Sequence, residues 1–247
     1  MTGRWLRRRL AALAVTGVFL TTWYIVGEGD CSVEGGYILN LSDDSVTVRC
    51  LSPDVTLQLD GFEGRVEFTN CFPDAQVEGF DGDIARNGTR MSLSVSDDSE
   101  DLRLTVPEKA SFKFAVLGDS QGKNDILAQI LDSLDGCDFV IHCGDLTPSG
   151  ADSEFEAVEE TLNSSGVPVF TTPGNHDARL GDLGAYVSRF GPADYGFTME
   201  NYGHGGRTSP EGEGMGVFTI YDWGNGAAAE ATMRIRDHYG ALANLIR

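Results

Sequence analysis

Three short apolar runs in the second half of the chain, Phe112 to Leu117, Phe139 to Cys143 and Val167 to Thr172, constrain the fold more than any other feature. Each is nearly continuous rather than alternating, so a strand built from it has to be covered on both faces. Between them the apolar residues recur at helical spacing: Ile126, Leu127, Ile130, Leu131 and Leu134 in the first gap, Phe155, Val158 and Leu162 in the second. Strand, helix, strand in that order predicts parallel βαβ units, and in sheets of this kind the working residues lie past the carboxyl ends of the strands.

Those ends carry Gly118-Asp119-Ser120-Gln121, Gly144-Asp145-Leu146 and Pro173-Gly174-Asn175-His176-Asp177. The Gly-Asp dipeptide means little alone, since it occurs five times in the chain; its position at the end of a buried strand carries the weight. Asp119 and Asp145 are hard oxygen donors for a divalent cation, Asn175 offers a neutral carbonyl oxygen, and Gln121 stands two residues beyond Asp119. A phosphate-binding loop is the competing reading of Gly118 to Asn124. It fails because only three residues separate Gly118 from Gly122, and Asn124 lacks the hydroxyl that such a loop places after its lysine. Asn124 and Asp125 are instead expected to cap the following helix.

The order GD-x-Q, GD-L and GNHD, each after a strand, resembles the calcineurin-like metallophosphoesterase family over residues 111 to 198. The resemblance implies an α/β fold, a β-sandwich-like metallophosphoesterase core with βαβ units. It implies two divalent metal ions of the Mn, Fe, Zn or Mg class, with Asp145 bridging them, Asp119 on one and Asn175 on the other. Gln121 replaces the histidine found in most members. His176 would act near the phosphate and Asp177 would orient it, while a hydroxide held by the metals attacks a phosphoester substrate in line. The segment Phe190 to Tyr195 resembles the family's lead into its next strand. The later histidine motifs, ending in Gly-His-x-His, are matched neither by His204, in a glycine-rich stretch, nor by His238, in a helical pattern from Met233 to Leu245. The expectation is therefore either a metal-dependent phosphoesterase or a truncated, frame-altered or degenerate copy, a non-catalytic surface protein whose other domain does the binding.

That other domain precedes the metal motifs. From Cys31 to Pro107 apolar residues alternate with polar ones, as in Val46/Val48/Cys50, Val55/Leu57/Leu59, Val66/Phe68, Met91/Leu93/Val95 and Leu102/Leu104/Val106, which predicts a small antiparallel all-β domain. Ahead of it, Arg4, Arg7, Arg8 and Arg9 precede the uncharged run Leu10 to Val26, about the shortest that spans a bilayer. An uncleaved transmembrane anchor is expected, with the rest of the chain outside the cell. The divisions are thus 1–27 for the anchor, 28–108 for the β domain, 109–198 for the partial phosphoesterase domain and 199–247 for an atypical glycine-rich tail or a truncated or misfolded end of that same domain. Thirty-eight acids face 18 bases, only three of them lysines, a balance that suits a salt-rich habitat and disfavours binding to a nucleic-acid backbone. Of five cysteines, Cys31, Cys50 and Cys71 could supply one disulfide outside the cell, its pairing open. Oligomeric state is not legible.

Overall fold

The computed structural model describes residues 31–96, 101–107 and 112–200, with the backbone of strands 215–221, 230–236 and 242–244. The expected anchor, Leu10 to Val26, and both His204 and His238 lie outside these residues. Among the described residues no helix is long and apolar enough to cross a membrane.

The alternating first segment forms nine strands: β1 (Cys31–Glu34), β2 (Gly36–Leu41), β3 (Ser45–Cys50), β4 (Val55–Leu59), β5 (Gly64–Thr69), β6 (Gln76–Glu78), β7 (Ala85–Asn87), β8 (Arg90–Val95) and β9 (Leu102–Thr105). They make two sheets, ordered β1-β4-β9-β6 and β2-β3-β5-β8-β7. The inward set is the one the alternation marks: Val46, Val48, Val55, Leu57, Val66, Phe68, Met91, Leu93, Leu102 and Leu104 are all buried. One pairing departs from the antiparallel expectation. β4 leaves for the opposite sheet, so the chain returns to lay β5 parallel to β3, with Arg49 opposite Thr69.

The second segment runs β10 (Phe114–Leu117), α1 (Asn124–Asp132), β11 (Phe139–His142), α2 (Asp152–Asn163), β12 (Val169–Thr171), α3 (Gly184–Phe190) and β13 (Tyr195–Glu200). β10, β11 and β12 form a three-stranded parallel sheet in that order, as the two βαβ units require. The sheet is covered on both faces, but only one cover is helical. Val140 and Val169 point into a cluster with Leu127, Leu131, Phe155, Val158, Leu162, Tyr186 and Phe190 of the helices. Phe139, Ile141 and Phe170 point the other way, into the cluster that contains the β-sandwich residues Val46, Val48, Phe68 and Phe72. Phe72 lies 6.2 Å from Phe139 and 6.1 Å from Phe170, ring centre to ring centre. The boundary placed at residue 108 therefore falls between two segments that share one core. Burying a phenylalanine of this kind contributes about 1.5–3 kcal/mol, so the contact stabilises both segments.

Two local expectations are corrected. α1 begins at Asn124 with Lys123 in the capping position and no side-chain cap, because Asn124 is already inside the first turn; its Oδ1 is buried without a hydrogen-bond partner. In the tail, Met233 does not start a helix. Residues 230–236 form strand β15, because Ala231, Met233 and Ile235 alternate along it, and it pairs antiparallel with β14 (Met215–Tyr221). β16 (Leu242–Asn244) follows, giving a second sheet ordered β13-β14-β15-β16.

Candidate metal centre

The carboxyl ends of β10, β11 and β12 are tied together by their own backbones. Asp119 N–H donates to Gly144 O at 3.0 Å, Gln121 N–H to Asp145 O at 2.9 Å, and Gly122 N–H to Leu146 O at 3.0 Å. These bonds hold three non-glycine residues in the left-handed region, Asp119 at φ 55°, Gln121 at 42° and Asp145 at 54°. Such conformations cost on the order of 1 kcal/mol each and persist only where the surroundings over-determine them. The loop after β12 joins the same rim. Asp145 Oδ1 accepts the His176 backbone N–H at 2.8 Å, and Gly174 lies so close that a Cβ there would stand 2.2 Å from that oxygen and 2.4 Å from Asp145 N. Gly144 is held likewise: it has φ 94° and its Cβ would meet Gly174 N at 2.7 Å.

β12 is the outer strand of its sheet, and side chains satisfy its free edge. Val169 N–H donates to Asn70 Oδ1 at 2.7 Å, and Val169 O accepts Arg49 Nη2 at 2.8 Å. Thr171 N–H donates to Tyr195 Oη, while Thr171 O accepts the hydroxyls of Tyr195 and Tyr186. Arg49 is 2 % exposed and lies over the Phe190 ring at 5.3 Å. The β-sandwich thus grips, through Arg49 and Asn70, the strand that leads into Gly174-Asn175-His176-Asp177.

Asp177 does something other than orient His176. Its buried carboxylate accepts the backbone N–H groups of Leu146, Thr147 and Gly174 at 3.1, 2.8 and 2.8 Å, and the Thr147 hydroxyl at 2.7 Å. With four donors at short range it has no contact left for the imidazole, and it locks the loop after β11 to the loop after β12. Burial keeps its pKa above the ordinary carboxylate value, although the four donors pull it down. The His176 ring is oriented elsewhere. Nδ1–H donates to Pro148 O at 3.0 Å and Nε2 accepts Arg179 Nη2 at 2.8 Å, which defines a neutral ring with its proton on Nδ1. His176 Nε2 is 4.0 Å from Asp145 Oδ2.

His142 carries a part that the sequence does not announce beyond placing a histidine in a buried apolar run. It is fully buried on β11; its Nδ1 accepts the Gly144 N–H at 3.3 Å, and its Nε2–H faces Ser120 Oγ at 3.1 Å. Ser120 Oγ donates in turn to Leu146 O at 3.3 Å. One imidazole therefore links both aspartate loops, and burial lowers its pKa from 6.5 to about 4.

The donor set on the rim is that of a hard divalent cation: carboxylates at Asp119 and Asp145, amide oxygens at Asn175 and Gln121. Asp145 fits such a role through its cradle, because the absence of a side chain at Gly174 leaves room for its carboxylate. Among the described residues no three His, Cys, Asp or Glu side chains gather at one point.

A parallel sheet with helices on one face, strands on the other and carboxylates at its carboxyl edge is compatible with a metallophosphoesterase core. The family model for calcineurin-like phosphoesterases matches residues 112–241, more than half of the chain, and the chain belongs to that family. The match runs past residue 198, through the strands β14 and β15. Members generally carry a dinuclear metal site and act on phosphoesters. No curated protein matches the chain.

Proposed function

We propose that this chain hydrolyses phosphoesters at the rim of the β10-β11-β12 sheet, with Asp119, Gln121, Asp145 and Asn175 holding divalent metal ions of the Mn, Fe, Zn or Mg class. The observation that carries the reading is the mutual fastening of the three strand-end loops around Asp145, by Gln121 N–H to its carbonyl and His176 N–H to its carboxylate. When bound, two such ions would polarise the phosphoryl oxygens and acidify the attacking water.

The chain's own groups do the rest. Arg179, paired with no carboxylate among the described residues, puts a fixed positive charge at the outer nitrogen of His176, where a phosphoryl oxygen would be held. His176 donates to the leaving oxygen once Arg179 turns from its Nε2 to the substrate and that nitrogen takes up a proton. Asp177 and His142 keep the loops in register and touch no substrate. The N-terminal run Leu10 to Val26, headed by arginines, supports anchoring to a membrane with the catalytic segment outside.

The test is metal content and hydrolysis of an aryl phosphate by the purified protein, with and without Asp145→Asn. The expected loss in kcat/KM is at least about a hundredfold, since even partners behind the ligands carry tenfold to hundredfold effects. Absence of bound metal and of hydrolysis in the unsubstituted chain, or equal activity in Asp145→Asn, overturns the reading.

A further inference from the structure

Cys50 and Cys71 bring their sulfurs together in the core of the β-sandwich: Sγ to Sγ is 3.4 Å, and each residue is 2 % exposed. We infer that they are joined by a disulfide in the mature protein, which completes folding where thiols are oxidised. This does not rest on the proposed activity. The pairing follows from topology. β3 and β5 run parallel with Arg49 opposite Thr69, so Cys50 ends one strand as the chain leaves the other. Asn70, at φ 59°, turns the chain there, and its Nδ2 donates to Cys50 O at 3.1 Å, while Cys71 N–H donates to Thr89 O at 2.8 Å. Both backbones are thereby fastened, with their side chains facing each other. A disulfide needs its sulfurs about 2.05 Å apart, an approach of about 1.4 Å from their present separation.

The bond has a definite place in the architecture. It closes the loop that contains β4 and β5 and so pins the crossover that makes β3 and β5 parallel. Its two half-cystines are the sequence neighbours of Arg49 and Asn70, the residues that hold Val169 of β12. The link thus braces the side of the sandwich that grips the strand leading to the metal rim. The chemistry is thiol–disulfide exchange with a disulfide oxidant, either a protein dithiol–disulfide oxidoreductase or a small-molecule disulfide. One thiolate attacks the oxidant to form a mixed disulfide; the other displaces it. The two cysteines lose two protons and two electrons, and the oxidant leaves as two thiols. Because neither sulfur is exposed in the folded chain, the step belongs to folding. In a chain that folds before oxidation, burial raises the pKa of the Cys71 thiol and leaves little thiolate to react.

The experiment uses the full chain, refolded from denaturant with a mixture of oxidised and reduced glutathione, then unfolded without reductant, alkylated and cut with trypsin. Cleavage after Arg49, Arg65 and Arg86 leaves Cys50 and Cys71 on separate peptides. The expected product is those two peptides joined and unalkylated. Alkylation of both Cys50 and Cys71, or either one joined to another cysteine, overturns the inference. As a second reading, reductant should lower the denaturant midpoint of the unsubstituted chain and leave that of the double variant Cys50→Ala, Cys71→Ala unchanged. A midpoint that reductant does not move in the unsubstituted chain also overturns it.

Discussion

Protonating His142 sets donor against donor. Its Nδ1 accepts the Gly144 N–H and its Nε2–H already faces Ser120, so a second ring proton would point at an N–H and carry a charge into a fully buried site. Burial therefore holds its pKa at about 4, against 6.5 in an unfolded chain. Between those values the unfolded chain binds the extra proton, so the stabilisation is fully present above pH 6.5 and is lost as pH falls toward 4. Linkage over that interval makes the loss about 2 kcal/mol at about pH 5 and about 3 kcal/mol at about pH 4. His142→Gln removes the titration and retains an amide N–H able to reach Ser120. Urea unfolding of both chains at about pH 7.5 and about pH 5 should show the unsubstituted protein losing about 2 kcal/mol more than the variant, a midpoint difference of about 0.7 M or greater. Asp177 and Glu154, whose pKa values are also shifted, are present in both chains, so their contributions drop out of the difference. Parallel pH profiles for the two chains would refute the assignment of His142 as a neutral clamp.

Two further substitutions probe the rim and its support. Gly174→Ala would place a methyl group 2.2 Å from Asp145 Oδ1; metal uptake and aryl phosphate hydrolysis should fall at least about tenfold with the far-ultraviolet circular dichroism unchanged. Arg49→Ala removes the hydrogen bond to Val169 O and the packing on Phe190; denaturant unfolding should show about 3 kcal/mol of destabilisation, and a change below about 0.5 kcal/mol would mean that the sandwich does not brace β12.

Much of this architecture is written along the chain. The period-two alternation identifies the sandwich strands, and its inward residues are the buried ones. The continuous runs Phe112 to Leu117, Phe139 to Cys143 and Val167 to Thr172 identify the parallel sheet, and the residues that end them identify its rim. Local periodicity can do this because burial on one face or two imposes a pattern on consecutive residues. It served less well at Met233, where seven residues alternate inside a segment whose apolar spacing also suits a helix, and pairing with β14 decided for strand.

What consecutive residues could not determine is what each part meets across the fold. Asp177 stands beside His176 in sequence, yet its carboxylate is drawn to Leu146, Thr147 and Gly174, because unpaired backbone N–H groups buried at the junction of two loops need an acceptor. Arg49 and Asn70 read as ordinary strand residues until β12 proves to be a sheet edge whose N–H and C=O groups require partners. The amino-acid sequence by itself determined the inward faces of the sandwich strands and the order of the βαβ units, since those follow from periodicity. Only the tertiary structure decided that the β-sandwich and the phosphoesterase sheet share one core, because that depends on which apolar faces are left uncovered once every local element has formed.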